Sequence, residues 1–264
     1  MLRRLTLLLV ALLALPCLAR PPVQVAIIID DLGNHRELGR RAVDLPADLT
    51  YSILPQLPYS RYLSRRAFAA GKEVMLHQPM QAERHGGTGP GVLRIEMGRE
   101  EIVQVVNRNL ATVPHAAGVN NHMGSLLTRE PLAMRWLMED LSCRSGDLYF
   151  VDSRTDIRTV ARDMARAAGL ATAQRDVFLD NRPEQDYIRR QLRRLVSTAR
   201  RRGSAIGIGH PYPQTLAVLA EELPALRRQG VEIVPVSRLV EQRKQQLWHA
   251  CLSPLPTVAK SSRP

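Results

Sequence analysis

VQVAIIIDDLG, residues 23–33, sets the fold. The aliphatic stretch Val25 to Ile29 is followed at once by two carboxylates, Asp30 and Asp31. An unbroken run of this kind suits a strand covered on both faces, the usual state of a parallel strand in an α/β protein. The plan recurs along the chain as LTYSIL (49–54), EVMLH (73–77), AAGVNNH (116–122), LYFVDS (148–153), DVFLD (176–180), SAIGIGH (204–210) and VEIVPV (231–236). Amphipathic, Arg-rich stretches lie between the runs: Ser60 to Ala70, Arg99 to Thr112, Pro131 to Leu141, Thr159 to Ala168, Pro183 to Arg202 and Pro213 to Gln229. Strands alternating with helices describe βα units and a largely parallel sheet. Seven or eight such units suit a closed or nearly closed (β/α) barrel better than an open doubly wound sheet.

Reactive groups in such barrels collect where the strands end. His77, His122 and His210 all sit at strand ends, while His35, His85, His115 and His249 fall elsewhere. Asp30 and Asp31 repel each other unless a proton or cation is shared between them, and one of them as a helix cap is the simpler alternative. One carboxylate and two imidazoles with an open fourth position form the ligand set of a hydrolytic zinc or related divalent site. Such an ion acidifies bound water, the second carboxylate can act as general base, and a further histidine as general acid. Asn120 and Asn121 either line the groove and bond sugar hydroxyls or satisfy backbone groups in a tight turn. Tyr212, beside His210, is expected on the groove wall. Trp136 is expected in the core, and Ser125 and Ser153 in structural roles.

The ends of the chain have a different character. MLRRLTLLLVALLALPCLAR has a basic start and an apolar run from Leu5 to Leu15, too short to span a bilayer, so residues 1–19 are expected to be a signal peptide and the protein to be exported, into a periplasm or its equivalent. Residues 20–242 form one domain, and 243–264, having lost the strand and helix rhythm, are expected as a loose tail. The Gly-rich stretch after the third strand, residues 81–93, reads as a long loop. Cys143 and Cys251 lack the spacing of a zinc knot. With 264 residues, 45% hydrophobic and 23% charged, collagen-like, disulfide-dense and disordered classes are excluded. The formal charge of +12 reflects 37 basic against 25 acidic residues, and all but three of the basic ones are Arg. The densest run, from Arg189 to Arg202, reads as a solvated helix face, compatible with contact to an anionic cell envelope and not with nucleic-acid binding.

IIIDDLG, EVMLHQPM, GVNNHMGS, YFVDSRT, RDVFLDN and AIGIGHPYPQT, in this order, resemble the divergent polysaccharide deacetylase family, which is related to the NodB-type deacetylases. The resemblance implies a distorted (β/α) barrel of about seven parallel strands and metal-dependent hydrolysis of acetyl groups on a glycan polymer, with zinc the expected ion and peptidoglycan one such polymer. It further implies Asp30 as base, Asp31 as metal ligand, His210 as general acid, and Asp152 with Arg154 as a catalytic carboxylate and the group that orients it. The better-known enzymes draw both histidine ligands from one His-x-x-x-His segment, and none exists here. His77 and His122 from neighbouring strand ends therefore complete the expected site with Asp31. The missing segment also leaves a catalytically weak or inactive glycan-binding protein as the alternative.

Overall fold

The computed structural model describes residues 22–83, 89–144 and 148–252, with backbone alone over 246–252. In chain order the described elements are β1 (Val23–Leu32), α1 (Arg36–Val43), β2 (Thr50–Ile53), α2 (Ser60–Ala69), β3 (Glu73–Met80), α3 (Arg99–Thr112), β4 (Ala116–Met123), α4 (Pro131–Ser142), β5 (Tyr149–Asp152), α5 (Ala161–Ala167), β6 (Thr172–Gln174), β7 (Val177–Phe178), α6 (Gln185–Arg202), β8 (Ser204–Gly209), α7 (Pro213–Arg228), β9 (Val231–Ile233) and α8 (Val236–Leu252). The pairings between strands are parallel. The order is β6-β5-β4-β3-β2-β1-β8-β7, with β9 beside the start of β1. β6 and β7 each pair on one side only, so the curled sheet is a distorted barrel open between them.

Strand periodicity of two divides the core. Val25, Ile27, Ile29, Leu76, Val119 and Phe150 point outward and pack under the helices. Ala26, Ile28, Met75, Tyr149, Val151, Ile206 and Ile208 form a smaller interior cluster. Each large aliphatic side chain buried in this way contributes about 1.5–3 kcal/mol. Gly118 on β4 belongs to the inward set, and the Tyr149 ring occupies the space a side chain there would need. Helix α6 shows the complementary pattern: Ile188, Leu192, Leu195, Val196 and Ala199 are buried while its arginines face outward.

Three elements escape the sequence pattern. β6 has three residues, too few to establish a period. α1 carries Gly39 in its middle, where any side chain would strike Leu63 of α2, so packing selects a residue that weakens the helical signal. α8 begins directly after Pro235, inside the run expected as the last strand, and its Val236, Leu239 and Val240 join the interior cluster. Its helical backbone continues to Leu252, so the first part of the expected tail is helical; residues 253–264 lie outside the described residues. So do residues 1–19, where the signal peptide is expected, and the centre of the Gly-rich loop, 84–88. Trp136 packs against the outer core as expected. Among the described residues no helix is long and apolar enough to cross a membrane.

Candidate metal and catalytic site

Extending the inward register beyond the interior cluster leads from Ile28 to Asp30, from Met75 to His77, from Gly118 to Asn120 and His122, and from Ile208 to His210. At the C-terminal ends of the strands the interior thus changes from aliphatic to ionisable. Asp31 joins this set by a different route: its backbone is left-handed, with φ 59°, which turns the chain off the strand register at the end of β1. The result is a cavity of about 430 Å³ lined by Asp30, Asp31, His77, His122, His210 and Tyr212, among others.

Three ligand atoms converge there. Asp31 Oδ1 lies 2.9 Å from His122 Nδ1 and 3.1 Å from His77 Nε2, and the two nitrogens are 3.2 Å apart. Among the described residues, Asp31, His77 and His122 form the group placed to hold a metal ion. The hydrogen bonds around His77 test whether an ion fits. Asn120 Oδ1 accepts from Ser52 Oγ at 2.6 Å and from His77 Nδ1 at 2.7 Å, while Asn120 Nδ2 donates to Asp30 Oδ1 at 2.8 Å. With its proton on Nδ1, neutral His77 turns the lone pair of Nε2 toward Asp31 and His122. Asp31 Oδ1 is buried and has no hydrogen-bond partner. A carboxylate oxygen and an imidazole lone pair crowded together call for a cation between them, and separations of this size suit tetrahedral ligand sets with bonds of about 2.0–2.2 Å. The residues present therefore fit a divalent ion.

The electrostatics agree. Burial alone would raise the Asp31 carboxyl, but the close approach of the His122 and His77 rings overcomes it and holds the group well below the carboxylate range. Burial opposes a charge on His77, yet Asp30 and Asp31 raise its affinity for a positive charge. His210 is also buried, but the hydrogen bond and charge of Asp180, followed by Asp31 and Asp30, push its pKa up to about 9. Its Nδ1 is 2.9 Å from Asp180 Oδ1, and its Nε2 is 3.7 Å from Asp31 Oδ2. Asp180 is fixed in turn: its Oδ2 accepts from the His210 backbone N–H at 2.6 Å and from Thr215 Oγ1 at 2.8 Å.

The divergent polysaccharide deacetylase profile matches residues 27–240. The chain belongs to the divergent polysaccharide deacetylase family. Its relatives include the Escherichia coli uncharacterized protein YibQ, 37% identical over 221 residues that cover 83% of this chain and 68% of that protein. An uncharacterized Haemophilus influenzae protein is 34% identical over 221 residues, covering 84% and 78%. Among solved structures, an uncharacterized Agrobacterium tumefaciens protein superposes with a TM-score of 0.79 at 27% identity, over 83% of this chain and 89% of that one. The peptidoglycan deacetylase PdaC of Bacillus subtilis shares the fold, with a TM-score of 0.50 at 13% identity over 88% and 98%.

Within this member of the divergent polysaccharide deacetylase family, the structure brings Asp30, Asp31, His77, His122, His210 and Tyr212 to one cavity. Other expected positions are corrected. Asn120 is fully buried and its amide is committed to Asp30, His77 and Ser52, so it cannot meet sugar hydroxyls. Asn121 also borders the cavity, but its amide serves backbone groups at the strand ends, donating to Met123 O at 2.7 Å and accepting from Ser153 N–H at 2.8 Å. Asp152 follows inward-facing Val151 and therefore falls on the helix side, where it accepts from the Arg154 backbone N–H at 2.8 Å and from Thr159 Oγ1 at 3.0 Å. Burial raises its pKa, and these bonds only partly offset the rise. Arg154 does not pair with that carboxylate through its side chain; the residue lines the cavity. Sequence reasoning assigned no role to Asp180, Phe178 or Arg175. Arg175 stacks over Phe178 at 4.9 Å, and Phe178 meets His210 edge to face.

Proposed function

We propose that this protein is an exported, divalent-metal-dependent deacetylase acting on an N-acetylated glycan, with peptidoglycan as a candidate polymer. The observation that carries the reading is the convergence of Asp31, His77 and His122 beside a second carboxylate, Asp30, and a third histidine, His210. Asp31, His77 and His122 would hold the ion. Bound there, a zinc or similar ion supplies an acidified water and a polarised acetyl carbonyl. Asp30, fixed by Asn120 with its Oδ2 3.6 Å from His77 Nε2, is the base placed to take the proton of the attacking water. His210 holds a proton through the neutral range and gives it from Nε2 to the departing amine, while Asp180 keeps the ring oriented through Nδ1. Tyr212, exposed at the rim, offers a sugar its flat face. Export rests on the leader-like composition of residues 1–19.

The test is acetate release from N-acetylated oligosaccharides by the zinc-loaded protein. Asp30→Asn and His210→Asn are each expected to lower kcat by about 10²–10⁴-fold with oligosaccharide binding retained. Binding without acetate release by the wild-type protein would overturn the enzymatic reading in favour of a glycan-binding role.

A further inference from the structure

Three non-glycine residues on the cavity wall have left-handed backbones: Asp31 (φ 59°), Met123 (φ 53°) and Arg154 (φ 51°). Such conformations cost on the order of 1–3 kcal/mol and persist where surrounding bonds enforce them. Asp31 uses the conformation to reach the two histidines. Arg154 has no part in the proton transfers, yet its turn is held from two sides. Asp152 accepts its backbone N–H, and Thr159 holds the other oxygen of Asp152. Arg175 donates from Nε to Ser153 O at 2.7 Å and from Nη2 to Arg154 O at 2.9 Å. A buried carboxylate and a half-buried guanidinium thus fix one turn.

Arg154 on that turn is exposed and lines the cavity. The ion pairs at the cavity run from Asp31 to the three histidines, from Asp30 to His77 and from Asp180 to His210; among the described residues, neither Arg154 nor Arg175 joins one. The two cations repel each other, the charges of Asp30, Asp152 and Asp176 offset this only in part at Arg175, and an anion between them would relieve it. A planar carboxylate matches the guanidinium fork with two parallel hydrogen bonds.

We infer that Arg154, supported by Arg175, reads a carboxylate on the substrate, so that the glycan taken by this site is an acidic one with its carboxylate close to the acetylated nitrogen. This rests on the deacetylase reading for the identity of the ligand, but the contact itself is a binding property that can be measured without turnover. Calorimetry on the full chain would compare an oligosaccharide of alternating N-acetylglucosamine and N-acetylmuramic acid with free lactyl carboxylates against its methyl ester. An oligosaccharide alternating N-acetylglucosamine with glucuronate distinguishes a ring carboxylate from one on a substituent. The wild-type protein is expected to bind at least one free acid about tenfold or more tighter than its ester. Arg154→Gln should abolish that difference while leaving ester affinity and the circular dichroism spectrum unchanged, and Arg154→Lys should restore part of it. Asp30→Asn should keep the preference while releasing no acetate, which separates failure of the chemistry from failure of the recognition. Equal affinity of the wild-type protein for acids and esters, or an equal loss of both in Arg154→Gln, would overturn the inference.

Discussion

Asp180 does for His210 what Asn120 does for His77: each fixes one ring nitrogen so that the other faces the cavity. For His210 the consequence is a pH dependence. Its folded-state pKa of about 9 lies above the ordinary 6.5, so the interaction with Asp180 stabilises fully below about 6.5 and is lost as pH rises through about 9. In metal-free protein, Asp180→Asn is expected to bring the His210 titration, followed by NMR, down toward 6.5 and to flatten stability against pH over that window. A titration that stays near 9 would show that Asp180 is not the cause. Much of the residue-scale picture is legible in the sequence, because period two carries Ile28 to Asp30, Met75 to His77 and Ile208 to His210. The same rule places Asp152 outside, since Val151 before it points inward. Asn120 is harder to read. Its role depends on β2 and β4 both facing the interior across β3, so that Ser52 and Asp30 reach it from other strands. Asp180 follows a strand of only two residues, too short to set a register.

Among the elements, α8 matters most to the shape of the barrel. β6 and β7 do not pair with each other, and α8 supplies Val236, Leu239 and Val240 to the interior cluster that an open barrel would otherwise expose. Leu239 is fully buried, so Leu239→Ala should cost about 2–5 kcal/mol of stability, measured by chemical denaturation. A loss below about 1 kcal/mol would mean that the helix only decorates the surface. Long elements with a full period, such as β1, α3 and α6, are plain in the sequence. α8 is not, because the run VEIVPV looks like a single strand until Pro235 is seen to divide β9 from the helix.

For the whole molecule, the charge and the chemistry separate. The arginines of α6 lie on its solvent face, while a few acids and histidines occupy the C-terminal mouth of the barrel. In place of the single His-x-x-x-His segment of the better-known deacetylases, the three candidate ligand atoms come one each from β1, β3 and β4, so curvature of the sheet brings them together. That assembly is the central claim, and zinc titration of the full chain by calorimetry tests it most directly. One zinc ion per chain is predicted for the wild-type protein, with binding lost in Asp31→Asn and weakened at least about tenfold in His77→Gln and His122→Gln. Zinc affinity unchanged by all three substitutions, or no zinc bound by the wild-type protein, would contradict it.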